Sequence, residues 1–196
     1  MRPRSTSVRA VRALSAVCAT LTVTATTLVA GPVSPVSAAS DVGCHRWASS
    51  TGSDGNDGTS PARAFATLGT LAAALRPGET GCIPSGDRFV AHGQGVIGAV
   101  SATAAAPITI RSGPGGRATI VGGLLFNHRS HDIVFTELDV IGDGFTGNAI
   151  QIEGRSIRLD GIDVRHPTGI CIGIGSINAY QQAYAGNEAL DVTIIN

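Results

Sequence analysis

Two aspartates and an arginine are the residues of this 196-residue chain whose types and spacing could do chemistry together. Asp139 and Asp163 are 24 positions apart, and Arg165 follows the second aspartate by two positions. Clustered carboxylates favour Ca²⁺ binding, and like charges at close range need compensation. We expect Ca²⁺ or Arg165 to compensate this pair. The alternative is a solvated face with a weak, exposed ion pair.

The same 24-residue spacing extends to the sequence around both aspartates. The segment 133–140, IVFTELDV, returns as the segment 157–164, IRLDGIDV, so that apolar positions fall on apolar positions. A fixed period of this size is typical of a solenoid, in which one supersecondary unit stacks on the next. Short alternating apolar runs without a helical pattern predict an all-β fold, a right-handed parallel β-helix with coils of about 24 residues.

Further strands follow the same period. Coils begin at Ile108, Ile133 and Ile157, and Val192 begins a last strand after an interval lengthened by an insertion, residues 176–184. A leucine-rich repeat has a similar period, but its sequence pattern is absent. A β-sandwich would need hairpin turns between strands, and the copied segment argues against it. We expect strands of successive coils to pair in parallel, about 4.8 Å apart.

The alternation of side chains along a strand assigns the candidate residues to a face. If Leu138 and Val140 point into the core, Asp139 points outward, and so do Asp163 and Arg165 one coil later. The two aspartates would then lie roughly 5 Å apart at Cβ. We expect Asp139 and Asp163 to be the metal ligands and Arg165 to be the catalytic residue.

Three further residues are candidates for binding a sugar. Gln151 and Glu153 alternate with Ile150 and Ile152, so we expect both to face outward and to line a groove. Tyr180, in the insertion, could stack on a sugar ring, although a simple loop anchor is the alternative interpretation.

Residues 1–39 have the composition of a secretory signal peptide. An arginine-rich start precedes the apolar run 13–30, and a small-residue cleavage site ends at Ala38 or Ala39. An uncleaved membrane anchor is the alternative, but its serines and threonines make this run weakly hydrophobic for a spanning helix. We therefore expect a secreted, extracellular protein with no membrane contact after cleavage.

Export would change the net charge. The sequence contains 14 basic residues, all of them arginine, and 14 acidic residues. Four arginines and no acid lie within residues 1–39, so the mature chain has 10 basic and 14 acidic residues. A mildly acidic domain is a poor candidate for neutralising phosphates, so we expect no nucleic-acid partner. We expect a monomer whose partner is an extracellular polysaccharide.

Residues 40–84 do not follow the period and are predicted to cap the N-terminal end of the solenoid. The segment 51–59 is dense in turn residues. Ser60 before a proline predicts a helix start, and Pro77–Gly78 predicts its end. The apolar residues at helical spacing are Phe65, Leu68, Leu71, Ala72 and Leu75.

The cysteines of the mature chain divide into a pair and a single residue. Cys44 and Cys82 bracket the cap, and in an oxidising compartment we expect them to form a disulfide; two free buried thiols are the alternative. Cys171 lies between two isoleucines and is predicted to be a small core or ladder residue.

The cap and the coils together resemble secreted right-handed β-helix proteins of the pectate-lyase-like superfamily. The similar segments are 51–61, TGSDGNDGTSP; 65–68, FATL; 76–80, RPGET; and 106–110, APITI. The resemblance implies a polysaccharide lyase on an acidic glycan, with Ca²⁺ held by carboxylates and a basic residue that removes a proton. No lysine exists in this chain, so that base would be an arginine. A non-catalytic carbohydrate-binding or cell-surface module is the alternative.

The sequence thus predicts three parts. Residues 1–39 are the signal peptide, residues 40–84 the cap, and residues 85–196 the coils of the β-helix. Because the last strand has no capping segment after it, we expect the repeat to be incomplete at Asn196.

Overall fold

The computed structural model describes residues 43–98, 100–144, 147–166, 169–175 and 191–195. The predicted signal peptide and Tyr180 lie outside these residues. The strands are β1 (Arg46–Trp47), β2 (Thr80–Ile83), β3 (Arg88–Ile97), β4 (Ile108–Ser112), β5 (Ala118–Phe126), β6 (His131–Thr136), β7 (Leu138–Ile141), β8 (Ile150–Ile152), β9 (Arg155–Asp160), β10 (Asp163–Arg165), β11 (Ile172–Ile174) and β12 (Thr193–Ile195). A helix, α1 (Leu68–Ala74), and a 3₁₀ turn, Pro61–Arg63, precede β2.

These strands form an all-β fold in which the named strands pair in parallel. Face A, as we name it, contains β1, β2, β4, β6, β9 and β12 in that order. Face B contains the first halves of β3 and β5, followed by β7 and β10. Face C contains the second halves of β3 and β5, followed by β8 and β11. From β2 to β11 the chain visits faces A, B and C in turn and then returns to face A.

Residues that are 24 positions apart in the sequence are neighbours in these sheets. Ile133 of β6 pairs with Ile157 of β9 on face A. On face B, Asp139 of β7 pairs with Asp163 of β10. Equivalent residues of the two similar segments, 133–140 and 157–164, therefore lie side by side on adjacent strands.

The backbone conformation recurs at the same interval. Asp132 and Ser156, near the starts of β6 and β9, both have positive φ, 58° and 50°. Glu137 and Gly161, at the corner between faces A and B, have φ of 55° and 58°. Positive φ is unfavourable for residues other than glycine, so the surrounding structure must hold these residues in this conformation.

The core is a continuous stack of inward-facing side chains. Ile108, Ile133 and Ile157 lie in register on face A and are buried. The rings of Phe126 and Phe135 pack edge to face across the interior, 5.6 Å apart. Burial of each such side chain stabilises the fold by about 1.5–3 kcal/mol.

The helix begins later than the sequence predicts. Thr67 accepts a hydrogen bond from the Thr70 amide and caps α1, whereas Ser60 precedes only the 3₁₀ turn. The predicted start at Ser60 is wrong because Phe65 is already in extended backbone pairing: its amide donates to Trp47 O, and its carbonyl accepts from Ser49 N. The buried residues of α1 are Leu68, Leu71 and Ala72, as the apolar spacing predicts.

The predicted disulfide between Cys44 and Cys82 is present. It closes a loop with a sequence separation of 38 residues and packs beside Trp47 and Ala64. On the chain-entropy model, a loop of this length stabilises the fold by about 4 kcal/mol. Of the two placements expected for Cys171, the core is wrong, because its side chain is exposed just before β11. Its carbonyl accepts a hydrogen bond from the Ile150 amide, as a ladder position requires.

Within the described residues, no helix has the length and apolar character needed to cross a membrane.

Candidate functional site

The outward side of face B carries a column of polar side chains, one from each strand. Arg88, Thr119, Asp139 and Asp163 lie in register on β3, β5, β7 and β10. Their inward neighbours on these strands are apolar, so the column is the outer half of the strand alternation. The structure thus places the two candidate aspartates side by side on adjacent strands.

Each aspartate of the pair holds an arginine. Arg165 Nη2 donates to Asp163 Oδ2 at 2.6 Å, and Arg117 Nε donates to Asp139 Oδ1 at 2.6 Å. The hydrogen bond from Arg165 lowers the pKa of Asp163, and the same bond raises the pKa of Arg165. Asp163 is therefore a carboxylate and Arg165 a guanidinium over the whole physiological pH range.

Arg117 is the residue of this site that the sequence argument missed. Besides Asp139, its Nη2 donates to the carbonyl oxygens of Leu138 at 2.6 Å and Gly161 at 2.8 Å. It comes from the turn between β4 and β5 and so connects three successive coils. Arg117 directly precedes Ala118, which pairs with Leu138, and this position brings its side chain near Asp139.

The pair of aspartates does not by itself fit a calcium site. Ca²⁺ takes roughly six to eight oxygen ligands. In the described part of the chain, no three His, Cys, Asp or Glu side chains lie close enough to share a metal ion. Asp139 and Asp163 each already accept a short hydrogen bond from an arginine. In this structure an arginine compensates the negative charge of each aspartate.

The expected outward exposure of Gln151 and Glu153 is wrong. Gln151 is 0% exposed and Glu153 is 4% exposed. Asn148 Nδ2 donates to Gln151 Oε1 at 2.5 Å, and Gln151 Nε2 donates to the carbonyl of Gly175. The strand alternation does turn Gln151 away from the core, but Asn148 covers it. Tyr180 lies outside the described residues, so its stacking role stays a prediction.

A cavity of about 810 Å³ lies beside the polar column. Arg117, Asp139 and Asp163 line it together with apolar residues, among them Ile172 and Ile194. Small-molecule sites commonly enclose about 300–1,000 Å³ and combine apolar walls with a few convergent polar groups. The arrangement can therefore bind a ligand that has both hydroxyl groups and apolar faces.

Comparison with solved structures gave matches, whereas comparison with family models and curated sequences did not. No protein-family model and no curated protein matches the chain. A solved rhamnogalacturonan lyase is similar to it with 15% sequence identity and a TM-score of 0.49. The match covers 78% of this chain and 50% of that one, so the chain spans about half the length of the structure it resembles.

Proposed function

We propose that this protein is a secreted right-handed parallel β-helix that acts on an extracellular polysaccharide. The order of strands, A to B to C and back to A, supports the coiled path, and the disulfide supports export. In this proposal residues 1–39 are removed, residues 40–84 cap the first coil, and the exposed side of face B contacts the glycan.

The observation that carries the proposal is the two aspartate–arginine pairs on face B, at the edge of the cavity. Asp139 and Asp163 accept hydrogen bonds, whereas Arg117 and Arg165 donate them. Sugar hydroxyls both donate and accept, so a surface that offers both groups at each coil suits a chain of sugars. The parallel strands place these groups at a regular spacing of about 4.8 Å.

The activity that we propose is elimination on an acidic glycan, as in a polysaccharide lyase. A base removes the proton from the carbon α to a uronate carboxylate, and the bond from the neighbouring carbon to the glycosidic oxygen breaks. A carbon–carbon double bond forms in the new end sugar, and the departing oxygen takes up a proton. Arg165, exposed at the end of β10, is the proposed base; it can act only in the small fraction of molecules whose guanidinium has lost its proton, and its bond to Asp163 makes that fraction smaller.

The second candidate function is glycan binding without turnover. The bond to Asp163 raises the pKa of Arg165, so its guanidinium keeps its proton. A base must first lose that proton, whereas a binding residue uses it to hold a hydroxyl or a carboxylate. This observation favours a binding module.

The two candidates are separated by incubating the protein with polygalacturonate and with alginate. A lyase produces an unsaturated sugar that absorbs ultraviolet light, and we expect Arg165→Met to slow its formation by about 100-fold or more. Arg158→Met is the matched control, because Arg158 pairs with Asp160 on face A at the same 2.6 Å.

Retention of the wild-type protein on these glycans without formation of product would support the binding module. In that case Arg165→Met should weaken the retention and Arg158→Met should leave it unchanged. The proposed function would be refuted if the protein forms no product from any acidic or neutral polysaccharide and is retained on none of them.

A further inference from the structure

A second, smaller pocket lies at the corner between faces A and B and shares Arg117 with the large cavity. Its walls are Arg111 at the end of β4, Arg117 before β5, Glu137 before β7, and the turn 113–116. We call it the corner pocket. Its volume of about 280 Å³ is near the lower limit for small-molecule sites, so it suits one chemical group rather than a glycan chain.

Arg111 is a partly buried cation whose ion pair with Glu137 is too long for a hydrogen bond. Its side chain is 24% exposed, yet its nearest carboxylate oxygen, Glu137 Oε2, is 3.8 Å from Nη1. Its only hydrogen bond there is from Nη1 to Ser112 O, at 3.3 Å. By contrast, Arg158 and Arg165 are more exposed and hold carboxylates at 2.6 Å. A desolvated guanidinium is costly unless an anion meets its donors.

Glu137 occupies the rim of the pocket in a conformation that is unfavourable for it. Its φ is 55°, and the residue 24 positions later, Gly161, adopts φ 58° without a side chain. A residue other than glycine in this region costs about 1–2 kcal/mol. The carboxylate that is held there is 63% exposed and too distant for a hydrogen bond to Arg111. It leaves the Arg111 donors open and limits which anions approach.

We propose that the corner pocket binds the carboxylate of an acidic sugar. Arg111 forms a two-pronged hydrogen-bonded pair with the incoming carboxylate, and Arg117, which also lines the pocket, remains paired with Asp139. Glu137 weakens the binding by like-charge repulsion and is displaced outward. That the ligand is a sugar rests on the proposed function. That the ligand has a carboxylate is inferred from the position of Arg111 in the pocket.

The protein contains its own reporter for this pocket. Trp47, the only tryptophan in the sequence, packs against Gly113 of the pocket turn so closely that a Cβ there would lie 2.7 Å from its ring. Binding can therefore be followed by tryptophan fluorescence during titration with glucuronate. Glucose serves as the neutral match, and inorganic sulfate serves as an anion of a different shape.

We expect glucuronate to bind and glucose not to bind. Arg111→Met, which keeps the apolar stem, should weaken glucuronate binding about tenfold or more. Glu137→Gln should strengthen it several-fold, because it removes the repelling charge without removing the side chain. Arg158→Met is the control and should leave the affinity unchanged. Circular dichroism of each variant verifies that it is folded.

An unchanged glucuronate affinity in folded Arg111→Met would overturn the inference, and so would equal binding of glucose. Sulfate binding as tight as glucuronate binding would overturn the assignment to carboxylates. If polysaccharide is bound or cleaved in the earlier assay while any of these results is obtained, only the corner pocket is refuted. If glucuronate binding depends on Arg111 but no polysaccharide is bound or cleaved, the pocket stands and the proposed function falls.

Discussion

Faces B and C of this protein present the same backbone arrangement to the outside but treat their outward side chains differently. On face B, Asp139 and Asp163 lie in register and remain accessible. On face C, Gln151 lies in register with Gly173 and is completely buried. Strand alternation alone predicts outward exposure in both places. The difference shows that a side chain can point outward from a strand and still be shielded from water.

What covers each face explains the contrast. Asn148 and the Gly175 carbonyl satisfy both ends of the Gln151 amide, and a glycine at position 173 leaves room for this contact. On face B the polar groups pair with one another and still border a cavity of about 810 Å³. Face C thus uses its outward polar groups for stability, whereas face B leaves them available to a ligand.

The largest effect is expected from breaking the polar cover of face C. Gln151→Ala removes an amide with two hydrogen bonds and leaves a hole in a buried layer, so it should lower the free energy of unfolding by about 2–3 kcal/mol. The measurement is urea denaturation followed by circular dichroism. Asp163→Ala, the matched change on face B, should leave the midpoint nearly unchanged because its ion pair is exposed. Equal losses in the two variants would contradict the contrast.

An intermediate effect, of opposite sign, is expected at the corner that leads into face B. Glu137→Gly replaces a strained residue by the one found 24 positions later, and it should raise the free energy of unfolding by about 1 kcal/mol. The same denaturation experiment measures it. Gly161→Ala, the reverse change at the equivalent corner, should destabilise the fold by a similar amount. A loss of stability in Glu137→Gly would show that its side chain supports the fold, contrary to its proposed role at the corner pocket.

The smallest effect is a pH dependence that only face B should show. The hydrogen bond from Arg165 lowers the pKa of Asp163 below its ordinary value of 3.8. The stability from this pair is therefore fully present above that value and is lost as the pH falls through the lowered pKa. Asp163→Asn should differ slightly from the wild type at neutral pH, and the difference should vanish in acid.

On face C, neither Gln151 nor Asn148 titrates, so the cost of Gln151→Ala should not change with pH through this contact. Denaturation midpoints between pH 7 and about pH 2.5 test both statements. If the stability difference between Asp163→Asn and the wild type grows as the pH falls, the pKa of Asp163 is not lowered and this prediction is refuted.

Much of the positioning was predictable from the sequence, because it depends on a period and an alternation. The copy at 24 residues predicts that Asp139 pairs with Asp163 and that their apolar neighbours face inward. The cysteines at 44 and 82 predict the disulfide that the structure contains. These features follow from local chemistry repeated along the chain.

Contacts between non-equivalent positions were not predictable. Arg117 lies before β5 and contacts Asp139 of β7 and Gly161 before β10. The helix does not begin at Ser60, because Phe65 pairs with the distant Trp47. In each case the partner is distant in sequence and has no fixed offset from the repeat. Propensity and periodicity contain no information about such partners.

The sequence by itself determined the strand register, the inward core and the placement of two aspartates on adjacent strands. Only the tertiary structure decided that arginines hold those aspartates, that Gln151 is covered and that the ion pair of Arg111 with Glu137 is too long for a hydrogen bond. The physical reason is that a period states which residues are stacked, whereas charge pairing and access to water depend on the turns that fold over each face.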